Sequence, residues 1–203
     1  MSKLFEIFDK VNKTNTLKNN KYKKLMYEYE ALLSFVENDK MLDESDNEKR
    51  REVIELIRNN EFVNDPQGLY DSMKLNKHPK MLTFYPVSDL SQMKVFKIPN
   101  YNIGYALKKR ENGDSNNFDE IVAVHNSEDD VRGVVDELIQ SAVKNGGCYL
   151  DHFDGFLSDV YSRNGFVEYK REDYDPSYDE DGTFRNKYGE SDVIYRVHKS
   201  CKK

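Results

Sequence analysis

His125 and His152 each stand at the end of a stretch that reads as a strand, and Asp151 and Asp154 flank the second of them. Imidazole and carboxylate groups gathered at one cleft edge could serve as a base or as metal ligands. The plainer reading, which we adopt, makes them strand-end residues with local hydrogen bonds. Other chemistries find less support. No serine has a nucleophile-elbow context, and neither a Gly-x-Gly-x-x-Gly run nor a phosphate-loop lysine motif is present. The stretch Asp173-Tyr174-Asp175-Pro176-Ser177-Tyr178-Asp179-Glu180-Asp181-Gly182 is acidic, but it lacks the spacing of a calcium loop. It reads as a mobile surface loop with its tyrosines packed down. Cys148 and Cys201 have no Cys or His at close ligand spacing, so no metal site is expected. Two cysteines fit a reducing compartment.

These residues depend on the elements that carry them. Residues 25–36 put Leu25, Tyr29, Leu32, Leu33 and Val36 on one helical face. Asp43-Glu44-Ser45-Asp46 suits a helix N-terminus, and Val53, Ile54, Leu56 and Ile57 give that helix an apolar side. Asp65-Pro66-Gln67-Gly68 reads as a turn. The helical pair must pack on something. The other half of the chain is the first choice, and a second copy of the chain or another protein are the alternatives.

Beyond Gly68 the pattern is mixed. Pro79, Pro86 and Pro99 exclude a long helix over 78–100. Strands are expected at 93–98, 103–108 and 120–126, with a hairpin loop over 111–117. The third strand is nearly all apolar, hence central. Ser127-Glu128-Asp129-Asp130 then reads as the opening of a helix whose stripe is Val131, Val134, Val135, Leu138, Ile139, Ala142 and Val143, ended by Gly146-Gly147. A short strand at 148–150, a short helix at 154–163, a strand at 166–171, a long acidic loop at 172–189 and a last strand at 191–198 follow.

Composition narrows the function. The chain has 203 residues, 33% of them charged and 12% aromatic, which fits a folded protein with a very polar surface. The first 80 residues balance 15 basic against 15 acidic side chains, so the whole net charge of −6 falls in residues 81–203. That argues against sequence-general nucleic-acid binding by the C-terminal part. Seven lysines within residues 1–26 read as a solvated helix face, with contact to nucleic acid or to an acidic partner as the alternatives. No apolar run approaches the roughly 20 residues that span a bilayer. No signal-peptide core opens the chain, so a cytoplasmic location is expected.

The helix after the central strand, the short strand, and the short helix ending in Tyr161-Ser162-Arg163-Asn164-Gly165-Phe166 resemble the GNAT N-acetyltransferases. Their final helix commonly carries Tyr-x-x-x-Gly-Phe before a strand. Leu150-Asp151-His152-Phe153-Asp154-Gly155-Phe156-Leu157 is similar to GNAT-like proteins that phages encode. So are Lys77-His78-Pro79-Lys80-Met81-Leu82-Thr83 and Gly104-Tyr105-Ala106-Leu107-Lys108. The resemblance implies an α+β fold: a GNAT-like mixed central sheet with flanking helices over 69–203, preceded by a helical N-terminal region over 1–68.

It also implies a mechanism. Acetyl-CoA would lie in the V-shaped gap between two splayed parallel strands, here 121–124 and 148–150. Backbone groups at Val122 and Val124 would pair with the pantetheine. Val131, Arg132, Gly133 and Val134, at the start of the next helix, would hold the pyrophosphate. An amine, on a small molecule or a protein lysine, would attack the thioester directly. Tyr161 would give a proton to the departing thiolate, and a water or Asp151 would relay the amine proton. The acidic loop would suit a basic acceptor such as a polyamine. The chain departs from the family at its pyrophosphate loop, where Gln/Arg-x-x-Gly-x-Gly/Ala becomes Asp130-Val131-Arg132-Gly133-Val134-Val135. Only Gly133 agrees. Glu128, Asp129 and Asp130 would repel an arriving pyrophosphate, with Arg132 the nearby cation. A non-catalytic binding or structural module of the same fold, engaging a host or phage protein, is therefore the second expectation.

Overall fold

The acidic residues at 43–46 do mark a helix start. In the computed structural model of the chain, α1 runs Glu44–Arg58. The structure describes residues 44–77, 82–110, 119–179, 182, 185–186 and 189–201. The expected helix over 25–36, the lysine-rich start, the hairpin loop at 111–117, most of the 77–83 stretch before Leu82 and parts of the acidic loop lie outside the described residues. Val53 and Ile57, one turn apart on α1, are buried.

The expected turn at Asp65-Pro66-Gln67-Gly68 is instead the start of α2, Pro66–Lys74. Asp65 accepts a hydrogen bond from the amide of Gly68 at 2.9 Å. Pro66 occupies the first turn, where its missing N–H costs nothing. Turn and helix-start signals share these residue types, and only the apolar spacing of Leu69 and Met73 downstream separates the two. Among the described residues, a single turn, α3 (Val87–Leu90), is the helix found between the prolines.

Six strands follow among the described residues, β1 Lys94–Lys97, β2 Ile103–Lys109, β3 Asp119–Asn126, β4 Gly147–Phe153, β5 Phe166–Glu172 and β6 Val193–His198. They form a mixed sheet in the order β1-β2-β3-β4-β6-β5. The first three are antiparallel neighbours, and β3 and β4 are parallel. Helix α4, Val135–Lys144, connects that parallel pair, and α5, Phe156–Arg163, separates β4 from β5. The fold is therefore α+β with β3 inside the sheet, as its apolar run requires.

The chain forms two compact units. Among the described residues, the larger holds 44–150, 164–167 and 196–201. Its core gathers Leu69, Met73, Leu90, Val95, Ala106, Val122 and Ala123. α1 is tied to α4 by Arg58 and Glu137 at 2.6 Å. Cys148 and Cys201 are joined in a disulfide that closes a 53-residue separation. This corrects the reading of two cysteines suited to a reducing compartment: β4 and the final turn, Lys199–Cys201, bring both sulfurs into one small apolar cluster with Val197. The smaller unit holds Asp151–Arg163 and Glu168–Tyr195. No helix among the described residues is long and apolar enough to cross a membrane.

Candidate functional site

The centre of β3 is irregular. Gly104 faces His125 and Ala106 faces Val122, so β3 carries one residue more than β2 between the two pairs. That extra residue is a β-bulge, and it is accommodated by Ala123, whose φ is +54°. A non-glycine residue with positive φ is uncommon, and it persists only when its surroundings hold it there. His125 does the holding. Its ring is buried, Nδ1–H donates to the Ala123 carbonyl at 2.9 Å, and Nε2 lies 2.7 Å from the Ser72 hydroxyl oxygen. Burial pushes the imidazole pKa down to about 4, against the pull of the Ala123 carbonyl and with a further push from Lys97. His125 is thus a buried, satisfied histidine, as the plainer reading has it.

β3 and β4 pair only at their beginnings, Asp119 with Gly147 and Glu120 with Tyr149. Gly147 permits this approach, because a β-carbon there would lie 2.4 Å from Ile121 Cγ1 and 2.9 Å from the Ala142 carbonyl. After Glu120 the ladder between the two strands stops. The backbone of β3 from 121 to 126, which includes Val122 and Val124, then has β2 as its ladder partner and no β4 ladder on the other side. Val122 is buried and Val124 half-buried.

The segment after β3 is a loop, not the expected helix start: α4 begins at Val135. Asn126 explains the delay. Its side-chain oxygen accepts from the amide of Glu128 at 3.0 Å, and its amide nitrogen donates to the Val131 carbonyl. Those bonds satisfy the backbone in a turn that competes with helix. Val131 and Val134 are fully buried, so their side chains anchor the loop in the core and only their backbone remains for a ligand. Gly133 has φ +68°, a conformation suited to glycine.

The charges of this loop are matched. Glu128 accepts from the amide of Asn102 at 2.6 Å. Asp129 pairs with Lys77 at 2.6 Å, and Asp130 pairs with Lys49, which holds its carboxyl below the usual range. Arg132 donates to the Asp129 carbonyl at 3.0 Å. The expected repulsion of a phosphate therefore loses most of its basis, because α1 and residue 77 deliver counter-charges that the local sequence does not contain.

The other candidates belong to the smaller unit. Tyr161, on α5, is buried, and its ring lies 5.0 Å from that of His152 at a tilt of 41°. His152 is also buried, with Nδ1 2.7 Å from the Phe153 carbonyl. Asp151, between Leu150 and His152 on β4, is exposed. Asp154 accepts from the Ser158 hydroxyl at 3.1 Å and pairs with Arg171, also at 3.1 Å. Arg171 reaches Glu168 at 3.0 Å and Asp192 at 3.2 Å as well, which raises its pKa further. The structure therefore brings Val122, Val124, Val131, Arg132, Gly133 and Val134 together in one unit, and gathers Asp151, His152 and Tyr161 in the other.

Sequence reasoning missed the bulge at Ala123, the role of Asn126 and the proximity of α1. Only Asn126 carries a local signal, as an asparagine at a strand end. No known family model matches the chain, and no curated protein and no solved structure matches it either.

Proposed function

We propose that the chain is an acyl-CoA-dependent N-acetyltransferase of the GNAT type, moving an acetyl group from acetyl-CoA to an amine. The observation that carries this is the parallel pair β3/β4, which pairs at its first residues and then stops, with a bulge at Ala123 beside the open edge. An unpaired strand edge inside a sheet has amide and carbonyl groups to offer an extended, amide-bearing ligand arm.

The residues present fit such a ligand. Val122 and Val124 would offer backbone groups to the pantetheine. The amides of Val131, Arg132, Gly133 and Val134 would face the pyrophosphate across a loop whose own acids are engaged elsewhere. When bound, acetyl-CoA supplies an activated acetyl thioester. Tyr161 Oη would hold the proton that the leaving sulfur needs, and Asp151, exposed on β4, would accept the amine proton directly or through a water. The acidic stretch over 173–181 favours a cationic acceptor, such as a lysine side chain or a polyamine.

A second reading, a binding or structural module without catalysis, is favoured by Asp130 and Val135, which replace a phosphate-donating Gln or Arg and a small residue of the family loop. Isothermal titration with acetyl-CoA separates the two. The acetyltransferase reading expects micromolar binding that survives Tyr161→Phe, while acetyl transfer to a polyamine falls on that substitution. No heat at millimolar acetyl-CoA would retire it in favour of the module.

A further inference from the structure

The acyl-CoA reading leaves the loop short of a basic side chain, since Asp130 stands where the family has Gln or Arg. The fold brings one from a distance. Gly133 turns so that a β-carbon there would lie 3.4 Å from both Nε and Nη2 of Arg50, a residue of α1. Arg50 is half-buried. Among the described residues, no hydrogen bond or ion pair engages its guanidinium.

That sets Arg50 apart from its neighbours. Lys49 is paired with Asp130, Lys77 with Asp129 and Arg58 with Glu137. Glu128 is held by the amide of Asn102, and Asp136 accepts from the Asn164 side chain. Each acid of this region thus has a partner other than Arg50. A guanidinium carries five donors in a planar fork that matches two oxygens of a phosphate. One left without a counter-ion among the described residues, beside a bare glycine backbone, has the charge to draw an anion.

We propose that Arg50 holds a phosphate group of the acyl-CoA, a basic side chain supplied by α1 in place of the one missing at Asp130. The proposal rests on the acyl-CoA reading and adds to it. It gives α1 a part in the site, because the Arg58–Glu137 pair and the Tyr101 hydroxyl on Glu52 hold the helix where Arg50 meets Gly133.

Titration of the full chain with three probes tests it: acetyl-CoA, inorganic pyrophosphate and S-acetylpantetheine, which has no phosphate. Arg50→Gln is compared with Arg51→Gln, the exposed neighbour, after both are shown to melt with the wild type. The expected result is a loss of about tenfold or more in affinity for acetyl-CoA and pyrophosphate in Arg50→Gln, with S-acetylpantetheine unchanged and Arg51→Gln silent. Equal acetyl-CoA affinity in Arg50→Gln and wild type would overturn the role of Arg50 and leave the acetyltransferase reading standing. Pyrophosphate binding that depends on Arg50, without any binding of acetyl-CoA, would remove the acyl-CoA reading and keep Arg50 as a phosphate site. Binding of neither probe by the wild type overturns both.

Discussion

In the larger unit, polar groups are buried and each is matched by neighbours: His125 with Ser72 and Ala123, Tyr105 with Ser141 and Asn145. In the smaller unit they cluster at the surface around one cation, with Arg171 shared by Glu168, Asp154 and Asp192 and its side chain 38% exposed. The first arrangement holds backbone geometry. Its partners have no water to fall back on, so each bond is costly to lose. The second is screened by solvent and holds little, yet its partners can be exchanged for those of a ligand. A cleft that binds through the backbone needs the first kind of region, and a surface that attracts a charged acceptor needs the second.

The sharpest break in this comparison is the disulfide of the larger unit. Closing a 53-residue separation, it contributes about 2–4 kcal/mol. Cys201→Ser, or reductant added to the wild type, is expected to lower the unfolding free energy read from urea denaturation by that amount, and the midpoint with it. An unchanged midpoint would show that the packing of Val197, Tyr149 and Val167 suffices without the bond.

Next comes the pH dependence of His125. Its folded pKa, about 4, lies below the 6.5 of an unfolded histidine, so the unfolded chain takes up a proton first as pH falls. Its contribution is intact above pH 6.5 and is lost progressively down to about pH 4, by about 3 kcal/mol in all. Denaturation series at pH 7, 5.5 and 4 should show this limb, and His125→Gln should flatten it. If both proteins lose stability in parallel, the buried histidine is not the cause.

Arg171→Gln is expected to have the smallest effect on stability, less than about 1 kcal/mol, because its pairs are exposed. A loss as large as that of Cys201→Ser would put the two regions on the same footing and end the distinction.

Much of this was legible beforehand. The strands over 93–98, 103–108, 120–126 and 166–171 and the stop at Asn164-Gly165 follow from alternation and turn residues. They agree with β1, β2, β3, β5 and the end of α5 to within a residue or two. Asp65 and Asn126 marked the failures. Each is a residue whose side chain bonds to nearby backbone, and such a residue suits a turn and a helix start equally well. At the candidate site, Gly133 was visible as the one residue agreeing with the resemblance. The bulge was not, since nothing about an alanine between two valines announces a positive φ.

The sequence by itself determined the α+β class, the central place of β3 and the uneven charge, because local periodicity and composition depend only on neighbours along the chain. Tertiary structure decided the rest. It stopped the β3/β4 ladder after its second pair, set Ala123 against His125 and Ser72, and joined Cys148 to Cys201. It also offset the negative charge of the loop. Asp129 and Asp130 read as repulsive in a linear chain and are neutralised by Lys77 and Lys49, the latter 81 residues away. Coulomb interactions fall off with distance in space, and separation along the chain does not enter them.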